Sequence, residues 1–272
     1  MRVILSRKGF DSASGGCASP IIDGRPISLP IPTRMPTPTV FGDLGRIAEL
    51  SRDLSRGRVT ASTPCHLDPD LDATSIPRDA GWRGALGQVG AAQGHLANQG
   101  VQAGDLFLFW GLFRPVRFAG QWEYTGAAEH RIFGWLQVGE VLPTGVDPAP
   151  TLARIPWLKS HPHARVGWSA SNTIYVASQE LTLDGKSMDR PGWGLFSRGC
   201  RLTAPDATHT SHWNVPAWLN PKTGGVGMTF HPDARWDKSG TCIAASRGQE
   251  FVARIGERVD ARKWISNLME TA

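Results

Sequence analysis

The sequence predicts an α+β fold, built on a mixed, strongly bent sheet or partly closed barrel with a few flanking helices. Leu106-Phe-Leu-Phe-Trp110 and Arg131 to Val141 are long apolar runs of the kind that strands covered on both faces carry. Helical spacing of apolar residues is confined to a few stretches. The 31 glycines and 20 prolines break the remainder into turns. Neither an internal repeat nor a linker interrupts the chain, so a single domain over residues 1–272 is expected.

The elements follow in order. Arg2 to Leu5 reads as a buried strand that runs into Ser6-Arg-Lys-Gly-Phe-Asp-Ser12, placing two cations and a carboxylate at the rim of a sheet. Ser12 to Gly16 is small and flexible. Ser19 to Gly24 and Arg25 to Pro30 form two short strands around an Asp-Gly turn. The prolines that follow exclude helix up to Pro38. Phe41 to Ser55 has helical spacing at Leu44, Ile47, Leu50 and Leu54, with Asp43 as an acid of the early turn. Arg58 to Ala61 is expected to be a short strand, and Gly84 to Gln99 a helix packed closely through its small residues. Gly111 to Glu129 is a long exposed connection between the two strong strands. Thr173 to Ala177 is a strand. Asp260 to Met269 is an amphipathic helix with Trp264, Ile265 and Leu268 turned inward.

The formal net charge of +5 is compatible with a polyanionic partner, and the cations are mostly arginine, which suits planar recognition of phosphates and bases. Cys17, Cys65, Cys200 and Cys242 form no CxxC pair, so a zinc knuckle is not expected and a reducing cytoplasm is the simplest setting. No apolar run reaches the ~20 residues needed to cross a membrane. P-loop, GxGxxG and GxSxG motifs do not occur.

Several segments in combination point further. Ser6-Arg-Lys-Gly-Phe-Asp-Ser12, Ser19-Pro-Ile-Ile22, Leu29-Pro-Ile-Pro32, His66-Leu-Asp-Pro-Asp-Leu71, Ala85-Leu-Gly-Gln-Val-Gly-Ala-Ala92, Gly104-Asp-Leu-Phe-Leu-Phe109 and Gly134-Trp-Leu-Gln-Val-Gly139 resemble the third of the nucleotide-modification-associated domain families. The resemblance spans Arg2 to about Val252. It implies a bacterial or phage setting in which bases of DNA are modified, without a defined reaction. The strands at 105–110 and 131–141 are also similar to base-reading barrels of the PUA, ASCH and EVE kind. That second likeness implies a pocket in which Trp110, Trp135 and Trp122 stack on a base and Arg114 meets a phosphate.

Three polar groupings complete the expectation. Ser6, Arg7, Lys8 and Asp11 form one wall of a cleft, gripping phosphate or offering Lys8 as a nucleophilic amine. His66, Asp68 and Gln88 form a second, with His161 and His163 as proton carriers whose side chains point the same way from an extended loop. Arg247, Gln249 and Glu250 are placed to read a base edge, or to cap a following helix. His66-x-Asp68 also matches part of a two-histidine, one-carboxylate iron site that His161, His163 or His231 would complete, but no metal is predicted and the cofactor is left open. The expected function is therefore a component of a base-modification system acting on or recognising a nucleotide in DNA, leaning towards an enzyme. A non-catalytic reader with an aromatic pocket, or an enzyme of free nucleotides, are the alternatives. The expected partner is nucleic acid or nucleotide, not a membrane.

Overall fold

The computed structural model describes residues 1–11, 13–35 and 37–272. Ser12, which closes the charged opening segment, and Pro36, in the proline-rich stretch, lie outside the described residues. Ten strands make one mixed sheet: β1 (Arg2–Arg7), β2 (Ser19–Ile22), β3 (Arg25–Pro26), β4 (Ala85–Gln88), β5 (Leu106–Phe118), β6 (Trp122–Tyr124), β7 (Glu129–Pro143), β8 (Thr173–Ala177), β9 (Trp193–Arg201) and β10 (Glu250–Arg254). Its main path runs β10-β1-β5-β7-β8-β4. β1 and β2 lie parallel to β5, and the other pairings are antiparallel. Among the described residues four α-helices flank it: α1 (Arg46–Leu54), α2 (Gly90–Asn98), α3 (Ala149–Arg154) and α4 (Val259–Met269).

Strand alternation sorts the apolar residues into two cores. On one face Ile4, Phe107, Phe109, Phe133, Leu136 and Tyr175 pack with Leu96 of α2. On the other, Val3, Leu5, Leu108, Trp110, Ile132 and Phe251 pack with α4 and with Trp213 and Trp236. The register shifts in the β5–β7 pair at Phe109/Trp110 and in the β7–β8 pair at Val176/Ala177, and such bulges bend a sheet. The bend carries the path's first and last strands towards each other. Gln88 at the end of β4 reaches Glu250 at the start of β10 through side chains alone. No backbone ladder joins those strands, so among the described residues the sheet curls without closing into a barrel.

Four local expectations change. Gly84 to Gln99 is not one helix, because Ala85–Gln88 is a buried strand paired with β8 and Gly90, at φ +62°, turns the chain into α2. The small residues there admit aromatic neighbours: a Cβ on Gly87 would lie 2.1 Å from the His163 ring, and one on Gly84 2.5 Å from Trp193. Gly111 to Glu129 is not a free connection, since β5 continues to Phe118 and returns through β6. Arg58 to Ala61 forms bends and turns, held by bonds from Thr60 to the Thr63 hydroxyl. Glu250 opens a strand, so Arg247 to Glu250 caps no helix. None of the described helices is long and apolar enough to cross a membrane.

Trp110 and Trp135 are core residues. Trp110 is 1% exposed and is sandwiched among Trp213, Phe251 and His130. Trp135 packs on Phe196 and against Gly194. Neither can stack on a base without unpacking the sheet, which corrects the aromatic pocket implied by the barrel likeness.

His130 accepts a hydrogen bond from Trp213 Nε1 at 2.9 Å on its Nδ1. Burial, reinforced by the Arg7 charge and opposed by Asp11, pushes its pKa down to about 4. A depressed histidine stabilises the fold above its unfolded value near 6.5, and that stability is lost as pH falls towards 4. The contribution is about 3 kcal/mol. Denaturant melts of His130→Gln should therefore depend less on pH between 6.5 and 4 than those of the wild-type chain. Equal slopes would contradict this assignment.

Candidate functional site

The first centre forms where β1 and β10 lie side by side. Ser6 and Glu250 are register partners, so their side chains share a face, and Lys8 follows Ser6 two residues on. Glu250 is 1% exposed and Lys8 8%. Glu250 Oε1 accepts from Ser6 Oγ at 3.0 Å, from Lys8 Nζ at 3.1 Å and from Gln88 Nε2. The second oxygen, Oε2, is buried and among the described residues has no donor. Bringing an ammonium and a carboxylate out of water costs several kcal/mol per ion, and mutual attraction plus good hydrogen bonding must offset it. Here one oxygen carries all three donors while the other keeps its accepting capacity.

The second centre surrounds Asp68. The loop carrying it is pinned to β4 by reciprocal backbone bonds between Asp70 and Ala85. Gly87 N–H donates to Asp68 Oδ1 at 2.7 Å. His161 Nε2 lies 3.4 Å from Oδ1, while His66 Nε2 and His163 Nε2 lie 3.6 and 3.9 Å from Oδ2. Burial would raise the Asp68 pKa, but the ring nitrogens of His161 and His66 and the charges of the histidines outweigh it and hold the carboxyl well below its usual range. Burial also lowers His163, to about 4, with Asp68 opposing. A neutral His163 lends Asp68 no full positive charge. The Gly87 N–H supports the carboxylate whatever the protonation of the rings, and on that ground we describe Asp68 as ionised beside a neutral His163.

Neighbouring groups hold this centre in place. Asn172 Nδ2 donates to the carbonyl of His163 at 2.8 Å, so its Oδ1 faces His163 Nδ1, 2.7 Å away. Trp168 stacks on the His163 ring at 4.1 Å and 7°. Asp70 has a separate task. Arg78 clamps it with two bonds of 2.5 and 2.6 Å, and the guanidinium rests 4.1 Å over the Trp82 ring.

Gly87 and Gln88 join the centres, because consecutive residues of β4 serve one each. A cavity of about 710 Å³ has Gly9, next to Lys8, and Asp68 in its walls, together with Arg25, Ser28, Arg46 and Phe133. Arg25 and Arg46 are exposed at its rim. Of its carboxylates, Asp43 and Asp72 are occupied by the backbone of their own loops. His66 borders a smaller cavity of about 240 Å³ with Trp168.

The structure thus brings together Ser6, Lys8, Gln88 and Glu250, and separately His66, Asp68, His161 and His163. Arg7 and Asp11 leave the first wall. Alternation turns Arg7 to the opposite face, where its charge is felt by His130, and the Asp11 carboxylate caps its own turn through Ala13 and Ser14. Arg114 is bonded to Gly126 O and covered by Tyr124, a strap rather than a free phosphate grip. Arg247 and Gln249 are exposed, whereas Glu250 points into the buried centre, so the trio does not share one edge. His231 accepts from Ala245 N–H and lies with Trp236 and Phe251 in the other core. Asn172, Trp168, Arg25 and Arg46 had no signal in the sequence, because each matters only through a partner distant along the chain.

The chain's residues 2–254 match the model of the family described as nucleotide modification associated domain 3, and the chain belongs to that family. No curated protein matches it, and no solved structure does.

Gly87 should tolerate no side chain. Gly87→Ala must displace the His163 ring, and a loss of about 1–3 kcal/mol is expected from denaturant midpoints. Lys8→Met, which leaves Glu250 charged without its ammonium partner, should cost about 3–5 kcal/mol, and the double variant Lys8→Met/Glu250→Gln far less. If the double variant is no more stable than the single one, the pairing described here is wrong.

Proposed function

We propose that this member of the nucleotide modification associated domain 3 family is an enzyme that acts on the base of a nucleotide in DNA, at the seam between β4 and β10. The observation that carries the reading is the partly unpaired Glu250 carboxylate, buried against Lys8, Ser6 and Gln88. A carboxylate that served packing alone would be expected to have both oxygens satisfied. Among the described residues Oε2 is an acceptor with no donor, and because Ser6, Lys8, Gln88 and Glu250 do not line the cavity it would meet the N–H edge of a base once the seam opens. Lys8 is an ammonium available to developing negative charge or to proton transfer.

The cavity bounded by Gly9 and Asp68 has the volume of a small-molecule site. Arg25 and Arg46 at its rim suit the phosphates. His161 and His163 are held beside Asp68 rather than free in solvent, which favours roles in positioning and proton transfer over a role in loop polarity. The reader alternative has lost Trp110 and Trp135 to the core, and its main support with them. The excess of cations is compatible with a polymer as well as a free nucleotide. A polymer would make binding fall steeply with salt.

Mass spectrometry of nucleosides from DNA of cells expressing the chain tests this directly. A mass-shifted nucleoside is expected with the wild-type chain and should be absent with Lys8→Met/Glu250→Gln, provided the variant is folded. Stoichiometric binding to modified oligonucleotides without any change of mass would replace the enzyme by a reader.

A further inference from the structure

We propose that His66, Asp68 and His163 bind one divalent first-row transition metal ion, through His66 Nε2, Asp68 Oδ2 and His163 Nε2. Three potential ligand atoms, one from each residue, lie within 4.8 Å of one another. Two imidazoles and a carboxylate are the donor set that such ions take when coordination positions stay open for water or substrate.

The hydrogen bonds fix which atoms are free to bind. Asn172 Nδ2 is committed to the His163 and Gly145 carbonyls, so Asn172 Oδ1 must accept, and His163 Nδ1 must carry the proton. His163 Nε2, the ring nitrogen not bonded to Asn172, faces Asp68 Oδ2 across 3.9 Å. A divalent cation between Nε2 and Oδ2 would take both atoms as ligands. Asn172 is thereby the kind of outer partner that orients a histidine ligand.

Asp68 shows the same division. Oδ1 is taken by Gly87 N–H and approached by His161 Nε2, a buried atom without a hydrogen-bond partner among the described residues. Oδ2 is left for the other two histidines. Their separations from it, 3.6 and 3.9 Å, exceed the ~3.4 Å between donors of a tetrahedral ion by a few tenths of an ångström. Small ring movements would close the set. His66 borders the smaller cavity and Asp68 the larger one, so the open positions face space from which a ligand can arrive. This revises the expectation of no metal.

Metal-stripped full-length protein titrated with Zn²⁺ by calorimetry, and with Co²⁺ by visible absorption, decides the matter. One ion per chain is expected. His66→Ala and Asp68→Asn should each weaken binding at least tenfold, and His209→Ala, at an exposed site, should leave it unchanged. Among the described residues the His66 ring reaches Asp68 only at 3.6 Å, so its removal disturbs the fold less and His66→Ala decides the question if Asp68→Asn fails to fold. An absence of saturable binding by the wild-type chain, or unchanged affinity in folded His66→Ala, overturns the site. The readout needs neither nucleotide nor turnover, so its failure would leave the proposed base chemistry standing, and failure of that chemistry would leave the ion site standing.

Discussion

The buried Glu250 carboxylate is the constraint around which the rest of the site is arranged. A charge at that depth requires donors, and the curl of the sheet supplies them from three places in the chain. Ser6 comes from the paired strand, Lys8 from just beyond it, and Gln88 from the far end of the strand path. These interactions take the place of the ladder that would have closed a barrel. The seam stays polar where a closed barrel would have continued its backbone pairing. Desolvated charges at such a seam act strongly on whatever enters, because little water is present to screen them.

The Asp68 centre solves the same problem differently. Its carboxylate accepts one backbone N–H and is surrounded by three imidazoles instead of an ammonium. The chain therefore carries two buried acids with contrasting partners, one beside an ammonium and one among imidazoles. A single short strand keeps them in fixed relation. The His163 ring could not shift towards β4 without pressing on Gly87, whose missing side chain leaves the space it fills.

Much of this was legible from local pattern. The apolar runs marked β5 and β7, the opening segment marked β1, and the helical spacing of Phe41 to Ser55 and Asp260 to Met269 marked α1 and α4. The family resemblance rested on the same segments, and the match over residues 2–254 bears it out. The polar residues were legible as types but not as groups. Lys8 and Glu250 are 242 residues apart, and no spacing rule connects them. Alternation along β1 was the available signal that Arg7 and Lys8 face opposite ways, and adjacency in sequence concealed it. Gly84 to Gln99 misled because small residues suit close helix packing and also suit a strand pressed against aromatic rings. The tryptophans misled because an indole able to stack on a base is equally able to fill a core, and burial decides between the two.

Difference density from crystals soaked with deoxynucleoside monophosphates tests the central claim most directly. The account predicts a nucleotide in the cavity walled by Gly9 and Asp68, its phosphate towards Arg25 and Arg46 and its base edge towards the seam. A nucleotide bound at another surface, with that cavity still empty, would contradict it.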